Sequence, residues 1–64
     1  MNGIDVLVLR KKAGMTQKEF ADSIGVSPII VSHWECGYRN PGARSIRDIE
    51  AFKDDLDRLM EGQK

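Results

Sequence analysis

The chain has 64 residues, 41% hydrophobic and 31% charged, with ten basic and ten acidic side chains that cancel. That length allows one small domain burying about 60% of its unfolded surface, too little chain for a typical enzyme cleft. One cysteine excludes an internal disulfide, and secreted chains this small usually need such staples, so a reducing cytoplasm is expected.

No apolar run is long enough to cross a membrane, and no basic segment leads into a secretory core. No nucleophile–base pair, glycine-rich phosphate loop, paired carboxylates or metal-ligand cluster stands out, so no enzyme, cofactor or metal is expected. A zero balance also argues against a non-specific nucleic-acid coat protein, which would be far more basic. The charges are unevenly placed, however. Residues 1–49 hold seven basic and five acidic side chains, and residues 50–64 hold three and five. An acidic last segment thus masks a modestly basic body.

Glycines at 14, 25 and 37 and the pair Pro41-Gly42 divide the chain into segments of helical length. The first, about 4–13, places Val6, Leu9 and Ala13 on one face. Its β-branched residues leave a strand open, but the Arg10-Lys11-Lys12-Ala13 end favours helix. Thr16-Gln17-Lys18-Glu19 has the form of a capping box and predicts a helix over 16–24 that buries Phe20, Ala21 and Ile24. Ser27-Pro28 opens a third helix, about 28–35, with Ser27 as cap and Pro28 where no hydrogen bond is lost. Val31 and Trp34 face inward. After a loop, helical spacing resumes at Ala43 through Ile46, Ile49, Phe52, Leu56, Leu59 and Met60. It reads as helices over 43–52 and 54–60, separate or continuous.

The second and third helices are joined by Ile24-Gly25-Val26-Ser27. Two short helices on such a turn cross steeply, which lets the second enter a major groove while the first lies across the DNA backbone.

The residues Leu9-Arg10, Gly14-Met15-Thr16-Gln17, Phe20-Ala21, Ile24-Gly25-Val26-Ser27, Val31-Ser32, Trp34-Glu35, Gly37 and Pro41 resemble the Cro/C1-type (XRE) helix-turn-helix domain of phage repressors. The resemblance runs from residue 4 to about 52. It implies one all-α domain over 1–64, a bundle of four to five helices that binds double-stranded DNA. The setting it implies is bacterial or phage-encoded and cytoplasmic, on the nucleoid when bound.

Position by position, the resemblance implies that Gln17 binds phosphate through its side chain and amide at a helix N-terminus, flanked by Thr16 and Lys18. It places Ser27, Pro28, Ile29, Ser32 and His33 on the exposed face of the recognition helix. Arg39, Asn40 and Arg44 would lie along the DNA backbone. Arg10 and Glu35 match a buried ion pair that ties the first helix to the third.

Two departures stand out. The recognition face lacks Gln, Arg and Asn, so bidentate readout of adenine or guanine is not offered. Ile29 suits a thymine methyl, while Ser32 and His33 offer single hydrogen bonds, so shape readout should contribute. His33 reads equally as a solvated helix residue. Secondly, the resemblance implies that Ile4, Leu7 and Val8 fall on the outer side of the first helix, and with Ile30 they predict an apolar patch for a second copy or another protein. Trp34 reads as core and Cys36 as an inert loop thiol.

These residues predict a sequence-specific double-stranded DNA-binding transcriptional regulator, repressor-like and homodimeric on two half-sites. The alternative is a protein-interaction module, an antirepressor or modulator that kept the scaffold.

Overall fold

The computed structural model describes residues 1–61; residues 62–64, the end of the expected 1–64 domain, lie outside the described residues. Four helices follow in order: α1 Gly3–Lys12, α2 Gln17–Ile24, α3 Pro28–Glu35 and α4 Ala43–Glu61, with no strand among the described residues. The fold is all-α.

Side-chain caps set the helix starts. Asn2 Oδ1 accepts the amides of Ile4 and Asp5 at 3.0 and 3.2 Å, and Asp5 Oδ2 accepts the Asn2 amide at 3.0 Å. This box starts α1 one residue before Ile4, at Gly3. At α2, Thr16 Oγ1 accepts the Glu19 amide at 3.1 Å and Glu19 Oε1 accepts the Thr16 amide at 2.9 Å. Ser27 caps α3, with Pro28 in its first turn. Each cap satisfies backbone donors that a helix end would otherwise strand.

The ends of α1, α2 and α3 close alike. Gly14, Gly25 and Gly37 each take a positive φ of 71–80°, where a side chain would be strained. The next residue then reaches back five positions: Met15 N–H to Arg10 O at 3.2 Å, Val26 N–H to Ala21 O at 3.0 Å, Tyr38 N–H to His33 O at 2.9 Å. This is the Schellman closure, which usually adds an apolar contact from that residue back to the helix.

Val6 and Leu9 of α1, Phe20, Ala21 and Ile24 of α2, Val31 and Trp34 of α3, and Ile49 of α4 form the core. Met15, Val26, Ile30, Phe52 and Leu56 pack against it. The α1 stripe shows little periodicity because residues 4 and 6–9 are all apolar.

The last stretch is a single helix of 19 residues. Phe52 meets Phe20 edge-on, with centroids 5.3 Å apart and planes at 88°, and Leu56 continues the contact with the core one turn later. Apolar anchors on both sides of Lys53-Asp54 thus favour continuation over a break. At 1.5 Å per residue α4 spans about 28 Å, and the molecule measures 38 × 22 × 19 Å.

Two expectations about the apolar patch are corrected. Leu7 is half-buried, and Ile30 is half-buried and packed on the core. Ile30 lies one turn before Trp34 and one position before Val31, so the helical twist carries it toward the interior. The exposed apolar residues of this group are Ile4 at 69% and Val8 at 60%, one turn apart on α1.

Gly3 sets how closely α1 approaches α3. It is buried, and a Cβ there would overlap the Trp34 carbonyl oxygen. Gly→Ala inside an exposed helix normally stabilises by up to about 1 kcal/mol. Here the sign should reverse. Gly3→Ala should cost about 1–3 kcal/mol through overpacking, read as a lower urea midpoint in Trp34 fluorescence.

Candidate nucleic-acid interface

The surface begins at the start of α2. The capping box occupies the amides of Thr16 and Glu19, which leaves the first-turn amides of Gln17 and Lys18 without a helical partner. Gln17 is half-buried, and its Nε2 donates to Glu35 Oε1 at 3.1 Å. One carboxamide hydrogen is thereby committed, and among the described residues the second has no partner. Thr16 Oγ1 is used as the cap acceptor. Lys18 Nζ sits 3.2 Å from Asp22 Oδ2 in an exposed pair one turn apart, an arrangement worth little and easily released.

Gln17 leads directly to the ion pair beneath this surface. Arg10 Nε donates to Glu35 Oε2 at 2.7 Å, and Nη2 donates to Oε1 at 3.0 Å. Nη1 donates to the Met15 carbonyl at 2.9 Å. The two side chains are only 13% and 7% exposed. Glu35 thus gathers donors from α1 and α2 onto the end of α3. Burial alone pushes its carboxyl up. Hydrogen bonds from Arg10 and Gln17, with the charges of Arg10 and Lys11, outweigh that and hold it below the usual carboxylate range. The hydrogen bond to Glu35 raises the Arg10 guanidinium further, against a smaller opposing effect of burial.

At the start of α3, the cap Ser27 and then Pro28 and Ile29 are exposed, Ile29 at 66%, while Ser32 and His33 further along are half-buried. The leading end of the helix therefore stands free, and its second half is partly covered. Arg39, Asn40 and Arg44 are all exposed. Arg44 lines a shallow groove with Gly25 and Val26 of the α2–α3 turn and with Ser45 and Asp48. This sets it beside the start of α3. Asn40 lines a different groove, with Asn2, Gly3 and Ile4 at the start of α1.

Sequence reasoning passed over an exposed aromatic in the loop after α3. Tyr38 is 81% exposed, and its ring meets His33 edge-on with centroids 5.4 Å apart and planes at 78°. The available signal was an aromatic beside Arg39 in a glycine-closed loop.

A charge pattern was also overlooked. From Val26 to Arg47 the chain carries Arg39, Arg44 and Arg47 and a single acid, Glu35. That acid is neutralised by Arg10. A chain with zero net charge therefore presents one acid-poor, arginine-bearing stretch spanning α3, the following loop and the start of α4.

Removing Arg10 strands a nearly buried carboxylate. Arg10→Met should cost about 2–4 kcal/mol, just under the range for a fully buried pair. That is comparable with the roughly 3–10 kcal/mol that holds a domain of this size together. The Glu35 carboxyl titrates lower folded than unfolded, so its stabilisation is full above the unfolded value of about 4.3 and fades as pH falls through the folded one. Urea midpoints at pH 7 should be lower for Glu35→Gln than for wild type. The two should converge as the pH is taken toward 3.

Comparison with known proteins agrees with this geometry. A family model described as helix-turn-helix matches residues 8–52. No curated protein and no solved structure matches the chain. Among the described residues, no helix is long and apolar enough to cross a membrane. The matched span contains all of α2 and α3 and the Gly25 turn between them, and on that ground the chain belongs to the Cro/C1-type helix-turn-helix family of DNA-binding regulatory domains.

Proposed function

We propose that the chain is a sequence-specific regulator that binds double-stranded DNA with the leading end of α3 in the major groove. It would act as a repressor, by occupying an operator and excluding polymerase. The observation that carries this reading is the acid-poor stretch from Val26 to Arg47, with its three arginines and its one acid neutralised from within.

The geometry supports each contact we assign. The free amides of Gln17 and Lys18, and the second carboxamide hydrogen of Gln17, suit one phosphate at the start of α2. Thr16 frames that site through its cap, and Lys18 adds charge once it leaves Asp22. Arg44 beside the Gly25 turn suits a phosphate flanking the recognition helix, with Arg39 and Asn40 following on the loop. Ser27, Pro28 and Ile29 enter the groove first. Ile29 packs on a thymine methyl, and Ser32 offers a single hydrogen bond. With so few polar readers, DNA shape supplies part of the specificity.

A single domain of this size covers about 600–1,000 Å² of DNA, so useful affinity calls for a homodimer on half-sites about 34 Å apart or a multiple. The acidic end of α4, where Leu59 is 67% and Met60 46% exposed, is the contact we assign to that dimer. The cytoplasm is the compartment this activity needs.

One observation favours a second reading. Ile4 and Val8 make an exposed apolar pair on α1, which suits a protein-interaction module such as an antirepressor or modulator.

Selection from random duplexes at about 100 mM salt separates the two readings, since that salt suppresses weak non-specific binding. A recovered motif with two-fold symmetry supports the regulator. Arg44→Ala should then weaken binding on every sequence and lower the log–log salt slope by about 1, while Ile29→Ala should relax preference at one base pair. Should no motif emerge from folded protein, and Val8→Glu abolish capture of a partner while Arg44→Ala is silent, the second reading stands.

A further inference from the structure

The two helices that flank the Gly25 turn begin differently. In the first turn of α2 the amides of Gln17 and Lys18 stand without a helical partner. In the first turn of α3, Pro28 has no N–H to offer. The Ile30 amide donates to the Ser27 carbonyl at 3.1 Å and to the Ser27 hydroxyl oxygen at 3.4 Å. Only the Ile29 amide is left. No Arg, Lys, Asn or Gln occurs from Ser27 to Cys36.

What this end of α3 presents is carbon. Pro28 and Ile29 are exposed, Ile29 at 66%. Ile30 turns onto the core. Ser32 and His33 are half-buried a turn further on, the His33 ring against Tyr38. The surroundings select what meets this apolar tip. From Val26 to Arg47 the chain carries three arginines, and its one acid is paired to Arg10. Arg44 lines a groove with Gly25 and Val26, just ahead of the tip. An apolar contact framed by positive charge suits a base edge flanked by phosphates. The base edges of a major groove offer one apolar group, the pyrimidine C5-methyl, which thymine carries and unmodified cytosine lacks.

We infer that α3 reads its site through pyrimidine methyl groups, with Ile29 as the reader, and that it accepts 5-methylcytosine where the operator carries thymine. The inference rests on the DNA-binding reading above and names the ligand chemistry of its recognition helix: a duplex bearing a 5-methylpyrimidine. A methyl on cytosine C5 lies on the same groove edge as that of thymine. The two bases still differ beside it, an O4 acceptor against an N4 donor. Only a polar reader senses that difference, and the one polar side chain at the tip, Ser27, has its oxygen engaged by the cap.

The test uses the full chain and the duplex motif recovered by selection. Binding is measured at a salt low enough to keep the weakest pairing in range, with Trp34 melts confirming that each variant folds. Each thymine of the motif is replaced in turn by deoxyuridine, which removes the methyl and keeps every hydrogen-bonding group. At the position facing Ile29 this should weaken binding about fourfold per half-site, the effect of withdrawing one methyl from an apolar contact. At that position 5-methylcytosine should bind about fourfold tighter than cytosine. Ile29→Ala should bind all four duplexes with both methyl differences reduced below about twofold, because the methyl has lost its partner.

The inference is overturned if the motif holds no fixed T·A pair, or if every deoxyuridine duplex binds within about twofold of its parent. It is also overturned if 5-methylcytosine gains less than about twofold over cytosine. Methyl differences that persist in Ile29→Ala overturn it as well, since the methyl would then act through duplex shape. Folded wild-type protein that recovers no motif removes the DNA-binding reading itself. A motif bound without regard to methyl groups removes this inference alone.

Discussion

A carboxylate almost out of reach of water, at the end of an eight-residue helix, is the constraint on which this fold turns. Apolar packing is roughly proportional to area and has no direction, so a core of eight side chains sets proximity better than angle. The Glu35 carboxylate does have direction. It takes two parallel N–H bonds from Arg10 on α1 and a third from Gln17 on α2. Arg10 at the same time holds the Met15 carbonyl in the loop between those helices. Three helices are thereby referred to one group, and the crossing of α2 and α3 is fixed along with them. Bidentate charge-assisted bonds of this kind are strong and geometrically demanding.

The same group joins stability to the site. Gln17 stands at the start of α2, where the proposed phosphate contact lies, and its carboxamide is oriented by Glu35. A change at Arg10 would therefore disturb the surface as well as the interior. The Lys12–Asp57 pair at 3.5 Å joins α1 to α4 with both groups well exposed. It has no comparable leverage, because water screens it.

Most of the fold was legible because its signals are local. Thr16 and Glu19 declare a helix start three residues apart, Ser27-Pro28 does the same for α3, and the glycines mark the ends. What escaped was decided by tertiary contact or hidden by composition. Asn2 and Asp5 form a second capping box, masked by the apolar run that follows. The need for glycine at position 3 is a matter of the Trp34 backbone, 31 residues away. Whether α4 runs on past Lys53 depended on Phe20, with which Phe52 packs. Ile30 was placed in the surface patch, yet one residue of helical rotation from exposed Ile29 turns it onto the core. The Arg10–Glu35 pair came from family resemblance, since no local rule joins residues 25 apart. Tyr38 escaped because neither its exposure nor its contact with His33 can be read from the sequence.

Zero net charge combined with an arginine-bearing face has a consequence for how such a molecule travels. Most regulators that bind DNA are pulled in from a distance by surplus positive charge and are then held loosely wherever they land. This chain has no surplus, so beyond a screening length of about 10 Å it has almost nothing for the phosphates to attract. Under the proposed binding mode, the separation of its charges would act closer in as a torque that turns the Val26–Arg47 stretch toward the duplex and the acidic end of the chain away. That encounter would be governed by orientation more than by attraction. Bulk DNA would then retain little of the protein, and the free pool, instead of a reservoir sliding along the chromosome, would set how fast an operator fills.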